Sequence, residues 1–299
     1  MIISASRRTD IPAFYSEWFI NCIREGYVMV RNPIYPRSVN KISLLPEKVD
    51  AFVFWTKNPE NFIKSLTFLD SKGYFYYFLY TLTPYDQNLE KNLPDKKHLV
   101  DNFKKLAHKL GKERVIWRYD PIVLTDSLDT SYHIDRFYKY SSELKDFTSQ
   151  CITSFMVNYR KCIKNLTEFN IIQLTREQRS FLLKSLSKIA CDNKIELTIC
   201  ADNEDFSDSG VLPSCCIKTE LINKLTGKQL IYKKDKSQRL RCNCAESVDI
   251  GVYNTCLHNC LYCYANYDVE IVCQTIALHD IQSPLMIGSL TGNEIIKER

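Results

Sequence analysis

Short apolar runs alternate along this chain with amphipathic stretches of helical period. The runs are rich in β-branched and aromatic residues, as buried strands are, and they occur at 2–6, 51–55, 74–82, 114–121, 152–158, 195–200 and 248–253. Helical periodicity is found between them, at 12–25, 61–71, 96–110, 130–146 and 176–192. This alternation predicts βα units built on a parallel sheet. Residues 27–50 contain three prolines and no helical period, which predicts an extended excursion or a hairpin.

The predicted fold class is α/β, with a partial or full TIM-like (β/α) barrel. Residues 1–199 supply barrel βα units, and the cysteine-rich residues 200–299 complete the barrel, so that one integrated domain is expected. Polar side chains lie at the C-terminal ends of the predicted strands and on the loops that follow, where parallel barrels carry their chemistry. They include Ser6, Arg7, Thr9, Asp10, Lys57, Arg118, Asp120 and Asn158.

Arginine and lysine at one rim of a barrel predict binding of a carboxylate or a phosphate, since the guanidinium group offers a two-pronged geometry. The alternative for Arg118 and Asp120 is a structural salt bridge at the barrel rim. The recurrence of polar residues at every strand end favours the functional interpretation.

Composition excludes several classes of protein. No apolar run approaches the length of about 18 residues that a membrane span needs, and the first residues lack a signal-peptide core, so a cytoplasmic protein without membrane association is expected. Thirteen cysteines in such a chain predict metal and thiol chemistry instead of a disulfide framework. A net charge of +5 permits contact with nucleic acid without arguing for it.

The most informative stretch is Cys256-Leu-His-Asn-Cys260-Leu-Tyr-Cys263, in which three cysteines are spaced C-x3-C-x2-C. Three thiolates so close in sequence converge on one metal centre more readily than they form pairwise disulfides. A 4Fe–4S cluster takes four ligands, so a loop that offers three leaves one iron open to a substrate or a cofactor. The alternative is a zinc knuckle or scattered buried cysteines, although zinc sites more often come as two CxxC-like pairs.

This stretch resembles the signature of the radical S-adenosylmethionine (SAM) superfamily, C-x3-C-x-aromatic-C. The resemblance implies that Cys256, Cys260 and Cys263 hold a 4Fe–4S cluster and that SAM chelates the open iron. It also implies that Tyr262 helps to seat the adenine. One electron from such a cluster cleaves SAM and produces a 5′-deoxyadenosyl radical that abstracts hydrogen from a substrate.

Thr56-Lys57 and Arg118-Tyr-Asp120-Pro121 resemble, in the same order, segments of the spore photoproduct lyase branch of this superfamily. The likeness implies functional roles for Lys57, Arg118 and Asp120, and it favours a nucleobase, nucleotide or nucleic-acid lesion as substrate. An electron donor such as flavodoxin or ferredoxin is implied as partner.

The whole chain also resembles an uncharacterised bacterial family, a domain of unknown function, with these cysteines near the C-terminus. Most radical SAM enzymes carry the cysteine loop after the first barrel strand, so the late position here predicts a circular permutation in which 248–253 is the first strand and 2–6 the second. The usual glycine-glycine-glutamate site is absent after the second strand. Ser6, Arg7, Thr9 and Asp10 occupy that place and are the predicted SAM contacts, together with Asn158.

A second cysteine group precedes the loop. By position in the pattern of the uncharacterised family, it comprises Cys200, Cys216, Cys242 and Cys244. Four thiolates hold either a second 4Fe–4S cluster or a tetrahedral zinc ion, and the absence of a shared metal is the third alternative.

A non-enzymatic function is the alternative to catalysis: a zinc or iron–sulfur protein that binds nucleic acid or senses redox state. Residues 233–241, KKDKSQRLR, are then the candidate phosphate contact, although a solvated loop is the simpler interpretation. His258, inside the cysteine loop, is expected to be exposed there instead of ligating metal.

Overall fold

A computed structural model describes residues 1–157 and 159–299 of the chain. The strands are β1 (Ile2–Ala5), β2 (Tyr27–Arg31), β3 (Ser38–Ser43), β4 (Ala51–Thr56), β5 (Tyr76–Thr81), β6 (Val115–Ile122), β7 (Gln150–Phe155), β8 (Glu196–Cys200), β9 (Leu212–Ser214), β10 (Val248–Asp249) and β11 (Ile295–Glu298). The helices are α1 (Ile11–Phe14), α2 (Ser16–Glu25), α3 (Glu60–Ile63), α4 (Leu66–Ser71), α5 (Lys96–Leu110), α6 (Thr130–Leu144), α7 (Arg160–Asn165), α8 (Arg176–Asp192), α9 (Thr219–Thr226) and α10 (Val269–Ile276).

Eight of the described strands form one parallel sheet in the order β10-β1-β4-β5-β6-β7-β8-β9. The central strands β4 and β5 are buried along their whole length, which explains their uninterrupted apolar sequence. The α/β class and the parallel sheet are therefore confirmed. No strand pairing among the described residues joins β9 to β10, so the sheet is open in its hydrogen bonding and barrel closure is not established.

The strand that leads to the cysteine loop lies beside the N-terminal strand. In β10 and β1, Val248 pairs with Ile3 and Asp249 with Ser4. This neighbourhood is the one that a circular permutation predicts. The strand has two residues instead of the predicted six, because the Asp249 carboxylate accepts a hydrogen bond from Gly251 N and turns the chain away. Gly251 also packs so closely on Ser6 that a Cβ would lie 2.1 Å from Ser6 Oγ.

The segment predicted as an excursion or hairpin forms a second, smaller sheet. Strands β2 and β3 are antiparallel, and the C-terminal strand β11 adds to β3 in parallel. The main sheet contains strands from both sides of residue 200, while the boundary between 1–199 and 200–299 stays a prediction.

Two predicted helices are interrupted. The helix expected at 12–25 is divided into α1 and α2 at Tyr15, and the helix expected at 61–71 is divided into α3 and α4. Asp10 explains the early start of the first helix, because its carboxylate accepts from Ala13 N and caps the turn. Helices α5 and α8 have the predicted bounds. The strands β9 and β11 and the helices α7, α9 and α10 were not predicted.

Helix α2 covers the centre of the sheet through an aromatic cluster. Phe19 packs edge-on against Phe52 and Phe54, with ring centroids 5.2 and 5.5 Å apart, and Phe54 stacks on Phe78 at 4.9 Å. Such geometries are the favoured ones for aromatic pairs. Among the residues that the structure describes, every helix is too short or too polar to span a membrane.

Candidate active site

A cavity of about 760 Å³ opens at the carboxyl ends of the parallel strands. Its lining includes Arg7 and Lys57, which follow β1 and β4, and Arg118, which lies within β6. Cysteines of both groups line it as well: Cys263 from the loop, and Cys200, Cys216, Cys242 and Cys244. Arg7, Lys57 and Arg118 thus share one cavity with cysteines of both groups.

A polar segment between β5 and α5 braces the cysteine loop by backbone contacts. Leu261 N donates to Leu89 O at 2.9 Å, and Asn92 N donates to the carbonyl of His258 at 3.2 Å. Glu90 and Cys260 form an isolated antiparallel bridge between these two contacts. The loop conformation thus depends on a segment about 170 residues earlier in the chain, which no local spacing indicates.

The three loop cysteines lie close enough to influence one another. Burial raises the pKa of Cys256, and Cys263 and Cys260 raise it further. Burial likewise raises the pKa of Cys260, while the neighbouring Lys57 opposes that rise. Within the described part of the chain, no group of three or more His, Cys, Asp or Glu side chains is already arranged to hold a metal ion. The donor set itself, three adjacent soft sulfurs beside a cation, fits an iron–sulfur centre.

Lys57 belongs to a buried polar network behind the loop. Glu90, 1% exposed, accepts from Lys57 Nζ at 2.6 Å, from Thr83 Oγ1 at 2.6 Å, and from Lys96. The Tyr262 hydroxyl donates to Glu90 and accepts from Lys57 Nζ at 2.9 Å. The aromatic residue of the cysteine motif is therefore held at its hydroxyl by groups from two other segments.

Charges in this network favour the ionised forms. Burial alone would raise the pKa of Glu90, but Lys57 and Lys96 lower it to about 2. Burial alone would lower the pKa of Lys57, but Glu90 raises it above the ordinary lysine value. Burial lowers the pKa of Lys96, although the Glu90 carboxylate opposes this shift. With both lysines charged, one carboxylate faces two ammonium groups, so the network carries a net positive charge beside the thiols.

Ser6 and Arg7, predicted SAM contacts, both line the cavity. Ser6 Oγ donates to Asp249 Oδ1 at 2.7 Å, and Arg7 N donates to Asp249 Oδ2 at 2.8 Å. The Arg7 guanidinium contacts Asp235 at 3.4 Å and lies over the Trp55 ring, while its Nη2 is buried without a hydrogen-bond partner among the described residues. Asp249 thus orients this segment toward the cavity.

Thr9 and Asp10, from the same predicted set, lie behind the cavity wall. Thr9 Oγ1 is buried without a hydrogen-bond partner among the described residues. Asp10 Oδ1 accepts from Ala13 N, and its Oδ2 accepts from Lys57 N at 2.7 Å and hydrogen-bonds His258 Nε2 at 2.8 Å. The expectation that His258 is exposed is wrong: its side chain is buried, because Asp10 and the Phe14 ring enclose it. Asp10 therefore connects the cysteine loop to the end of β4.

Arg118 and Asp120, both within β6, form an ion pair, as the structural alternative predicts. Asp120 also accepts a hydrogen bond from Ser154 Oγ at the end of β7. Burial alone would lower the pKa of Arg118, but Asp120 raises it. All three side chains line the cavity, so the ion pair is part of the candidate site. Asn158 lies outside the described residues.

The second cysteine group is assembled from three segments. Cys200 ends β8, Cys216 follows β9, and Cys242 and Cys244 precede β10. The sulfurs of Cys200 and Cys216 are 3.9 Å apart, and Cys244 Sγ accepts from Cys216 N at 3.3 Å. A hydrogen bond with the Cys216 side chain lowers the pKa of Cys244 most, and a hydrogen bond with the Cys242 side chain lowers it further. The four cysteines grouped by sequence are thus neighbours in space.

The basic run 233–241 lies at the rim of the cavity. Asp235 is buried, and its carboxylate accepts from Ser237 N as well as from Arg7. All the basic residues of the run are exposed, and Arg239 lines the open side of the cavity. The interpretation as a solvated loop agrees with most of the run, but not with its contacts to Arg7.

Three residues of the site were not indicated beforehand. Glu90 comes from a polar stretch without periodicity, and Lys96 is a charged residue in the first turn of the predicted helix 96–110, so nothing in their local sequence predicts burial. Asp249 offered a signal, since an acidic residue inside a short apolar run is expected to have buried partners. It accepts from Ser4 Oγ at 2.7 Å in addition to the contacts with Ser6 and Arg7.

A family model described as Domain of unknown function (DUF1848) matches residues 2–265. The matched range includes both cysteine groups and agrees with the predicted likeness to an uncharacterised family. Neither the curated proteins nor the solved structures contain a match to the chain.

Proposed function

This chain belongs to the DUF1848 family, and we propose that it is a radical SAM enzyme. The observation that carries the proposal is the position of the C-x3-C-x-Tyr-C loop: Tyr262 and Cys263 line a cavity that is also lined by Lys57 and Arg118. Cys256, Cys260 and Cys263 would hold a 4Fe–4S cluster. When bound, such a cluster supplies the electron that cleaves SAM to methionine and a 5′-deoxyadenosyl radical.

The chain's own residues position the cofactors. Tyr262 is held at its hydroxyl by Glu90 and Lys57, and Tyr85 packs edge-on against its ring with centroids 5.6 Å apart. A ring held at its hydroxyl and on one side keeps a fixed orientation toward the cavity. It would therefore seat the adenine without losing much conformational entropy.

Positive charge would select the ligands. Lys57 and Arg118 are both held in the charged state by a carboxylate partner, and Arg7 lines the same cavity. We propose that these groups bind the SAM carboxylate and an anionic substrate, such as a nucleotide or a nucleic-acid lesion. A flavodoxin or ferredoxin in the cytoplasm would supply the electron. The abstracted hydrogen and the net reaction depend on the substrate.

The test is anaerobic incubation with SAM and dithionite. Wild-type protein with a reconstituted cluster is expected to form 5′-deoxyadenosine, and Cys256→Ala, Cys260→Ala and Cys263→Ala are each expected to abolish the product. Cys191→Ala is the matched control, since Cys191 is an exposed cysteine on α8. This substitution is expected to leave the yield of 5′-deoxyadenosine unchanged.

Absence of 5′-deoxyadenosine from protein that carries its cluster would reject the proposal. If the same protein then bound single-stranded DNA or RNA without SAM, and lost that binding with rising salt, the non-enzymatic alternative would replace it. Replacement of basic residues within 233–241 would be the next experiment in that case.

A further inference from the structure

The second cysteine group lies where the two edges of the main sheet approach each other. Cys216 follows β9, which forms one edge, and Cys244 precedes β10, which forms the other. Between them Ala245 N donates to Ile217 O at 3.1 Å. Cys200 joins from the end of β8, which pairs with β9. The four cysteines therefore connect the β8–β9 edge to the chain before β10, and no strand pairing among the described residues joins these two regions.

The sulfur spacing distinguishes the two metal centres that such a group can hold. Four thiolates on one tetrahedral zinc ion, with Zn–S bonds of about 2.3 Å, lie about 3.8 Å from one another. In a 4Fe–4S cube each thiolate binds a different iron, which places the sulfurs considerably farther apart. The observed separation of 3.9 Å between Cys200 Sγ and Cys216 Sγ agrees with the zinc geometry.

Backbone amides also donate hydrogen bonds to one sulfur of the group, as they do to thiolates that bind a metal. Cys244 Sγ accepts from two consecutive amides, Cys216 N at 3.3 Å and Ile217 N at 3.5 Å. Tyr77 fixes the chain that offers these amides, because its hydroxyl donates to Cys216 O at 2.7 Å and accepts from Lys218 N at 3.2 Å. Hydrogen bonds of this kind orient ligands and stabilise their charge in metal sites.

The charged side chains around the four cysteines also suit a zinc–tetrathiolate centre. A zinc ion with four thiolates carries a net charge of −2. Arg7 and Arg118 line the same cavity wall, and each has one buried guanidinium nitrogen without a hydrogen-bond partner among the described residues. Both guanidinium groups also pair with carboxylates, Arg7 with Asp235 and Arg118 with Asp120, but their remaining N–H groups would lower the cost of burying the thiolate charge.

We propose that Cys200, Cys216, Cys242 and Cys244 form a mononuclear zinc site that fastens the β9 edge of the main sheet to the β10 edge. Binding of a zinc ion would bring the four neighbouring sulfurs into a tetrahedral arrangement. This inference goes beyond the proposed function and does not rest on it, since the site lies outside the Cys256–Cys263 loop.

Metal analysis of a variant that lacks the loop ligands tests the inference. The triple variant Cys256→Ala, Cys260→Ala, Cys263→Ala is expected to be purified with about one zinc and no iron per chain. Replacement of that zinc by Co²⁺ is expected to give the visible spectrum of a tetrahedral tetrathiolate. Iron near four atoms per chain in this variant would overturn the inference in favour of a second cluster, and the absence of both metals would overturn it outright.

Single variants locate the site, and adjacent cysteines provide the control. Cys216→Ser is expected to lose zinc, whereas Cys215→Ser, one residue earlier and outside the proposed ligand set, is expected to retain it. Loss of zinc from both variants, or from neither, would contradict the assignment. If the triple variant does not fold, anaerobically reconstituted wild-type protein decides: four irons with one zinc supports the inference, and eight irons without zinc rejects it.

Discussion

Cysteines of both groups line one cavity, but the two groups are built in different ways. Cys256, Cys260 and Cys263 belong to a single loop, and their charge partner is the buried Lys57–Glu90–Lys96 network. The second group is collected from the ends of β8 and β9 and from the chain before β10, with arginines on its cavity side. One set of thiols is thus ordered by local sequence, and the other by the order of strands in the sheet.

The two proposals assign different roles to the two groups. A loop that leaves one position open suits a reactive centre, whereas four thiols from separate segments close a site and connect those segments. Substitution of the residues that contact one group but not the other tests this difference.

Glu90→Gln is expected to have the largest effect. The substitution leaves Lys57 and Lys96 facing each other without a buried counter-charge, and loss of one partner from a buried ion pair costs about 3–5 kcal/mol. Urea unfolding measures the loss, and Tyr262 is expected to become mobile in the same variant. Glu60→Gln is the control, because its pair with His98 is exposed and is expected to change stability little. Equal effects of the two substitutions would contradict a special role for the network.

The same carboxylate predicts how stability depends on pH. Glu90 has a pKa of about 2 in the folded chain against an ordinary value of 4.5. Because the folded-state pKa is the lower one, the stabilisation is complete above about pH 4.5 and is lost as pH falls toward 2. Unfolding free energies across this range are expected to fall more steeply in wild-type protein than in Glu90→Gln. Parallel pH profiles would show that Glu90 does not carry the effect.

Asp10→Asn is expected to loosen the loop from the sheet. The Asp10 carboxylate contacts Ala13 N, Lys57 N and His258, and weakening these charge-assisted bonds is expected to cost about 1–3 kcal/mol. Iron retention after cluster reconstitution should fall in parallel. Asp95→Asn is the matched control: Asp95 also caps a helix, by accepting from His98 N, and asparagine caps helices equally well.

Arg118→Lys is expected to weaken the second site without affecting the loop. A lysine keeps the charge but loses the planar donor set beside Asp120 and the cysteines, and changes of this kind around metal ligands reduce affinity by about 10–100-fold. Competition with a coloured zinc chelator measures the change. Arg31→Lys should retain wild-type affinity, because Arg31 lines the cavity but pairs with Glu294. A loss of iron instead of zinc would reverse the assignment of Arg118 to this site.

The sequence pattern predicted the sheet well and its edges poorly. The apolar runs at β4 and β5 are uninterrupted and buried on both faces, so their length and their aromatic and β-branched residues identify them as strands. Strands β9 and β10 have three and two residues, too few for any period to be visible. The division of the first helix at Tyr15 was missed for a related reason: the helical pattern of the side chains continues through the break.

The candidate site shows the same limit. The sequence indicated Lys57, Arg118 and Asp120 because they follow apolar runs directly, and it indicated the loop cysteines because of their spacing. It did not indicate Glu90, because a charged residue in a polar stretch is expected to be exposed and only the packing of segment 86–93 against the loop buries it. His258 was misjudged for the same reason, since Asp10 lies 248 residues away in the chain.

The sequence by itself determined the parallel α/β sheet and the trio of sulfurs in the loop, because side-chain periodicity and short spacings are local properties that survive in any fold. Only the tertiary structure decided which charges face those sulfurs and that Cys200, Cys216 and Cys244 meet. The reason is physical: burial and ion pairing depend on which segments pack together, and that is set by the strand order of the whole sheet.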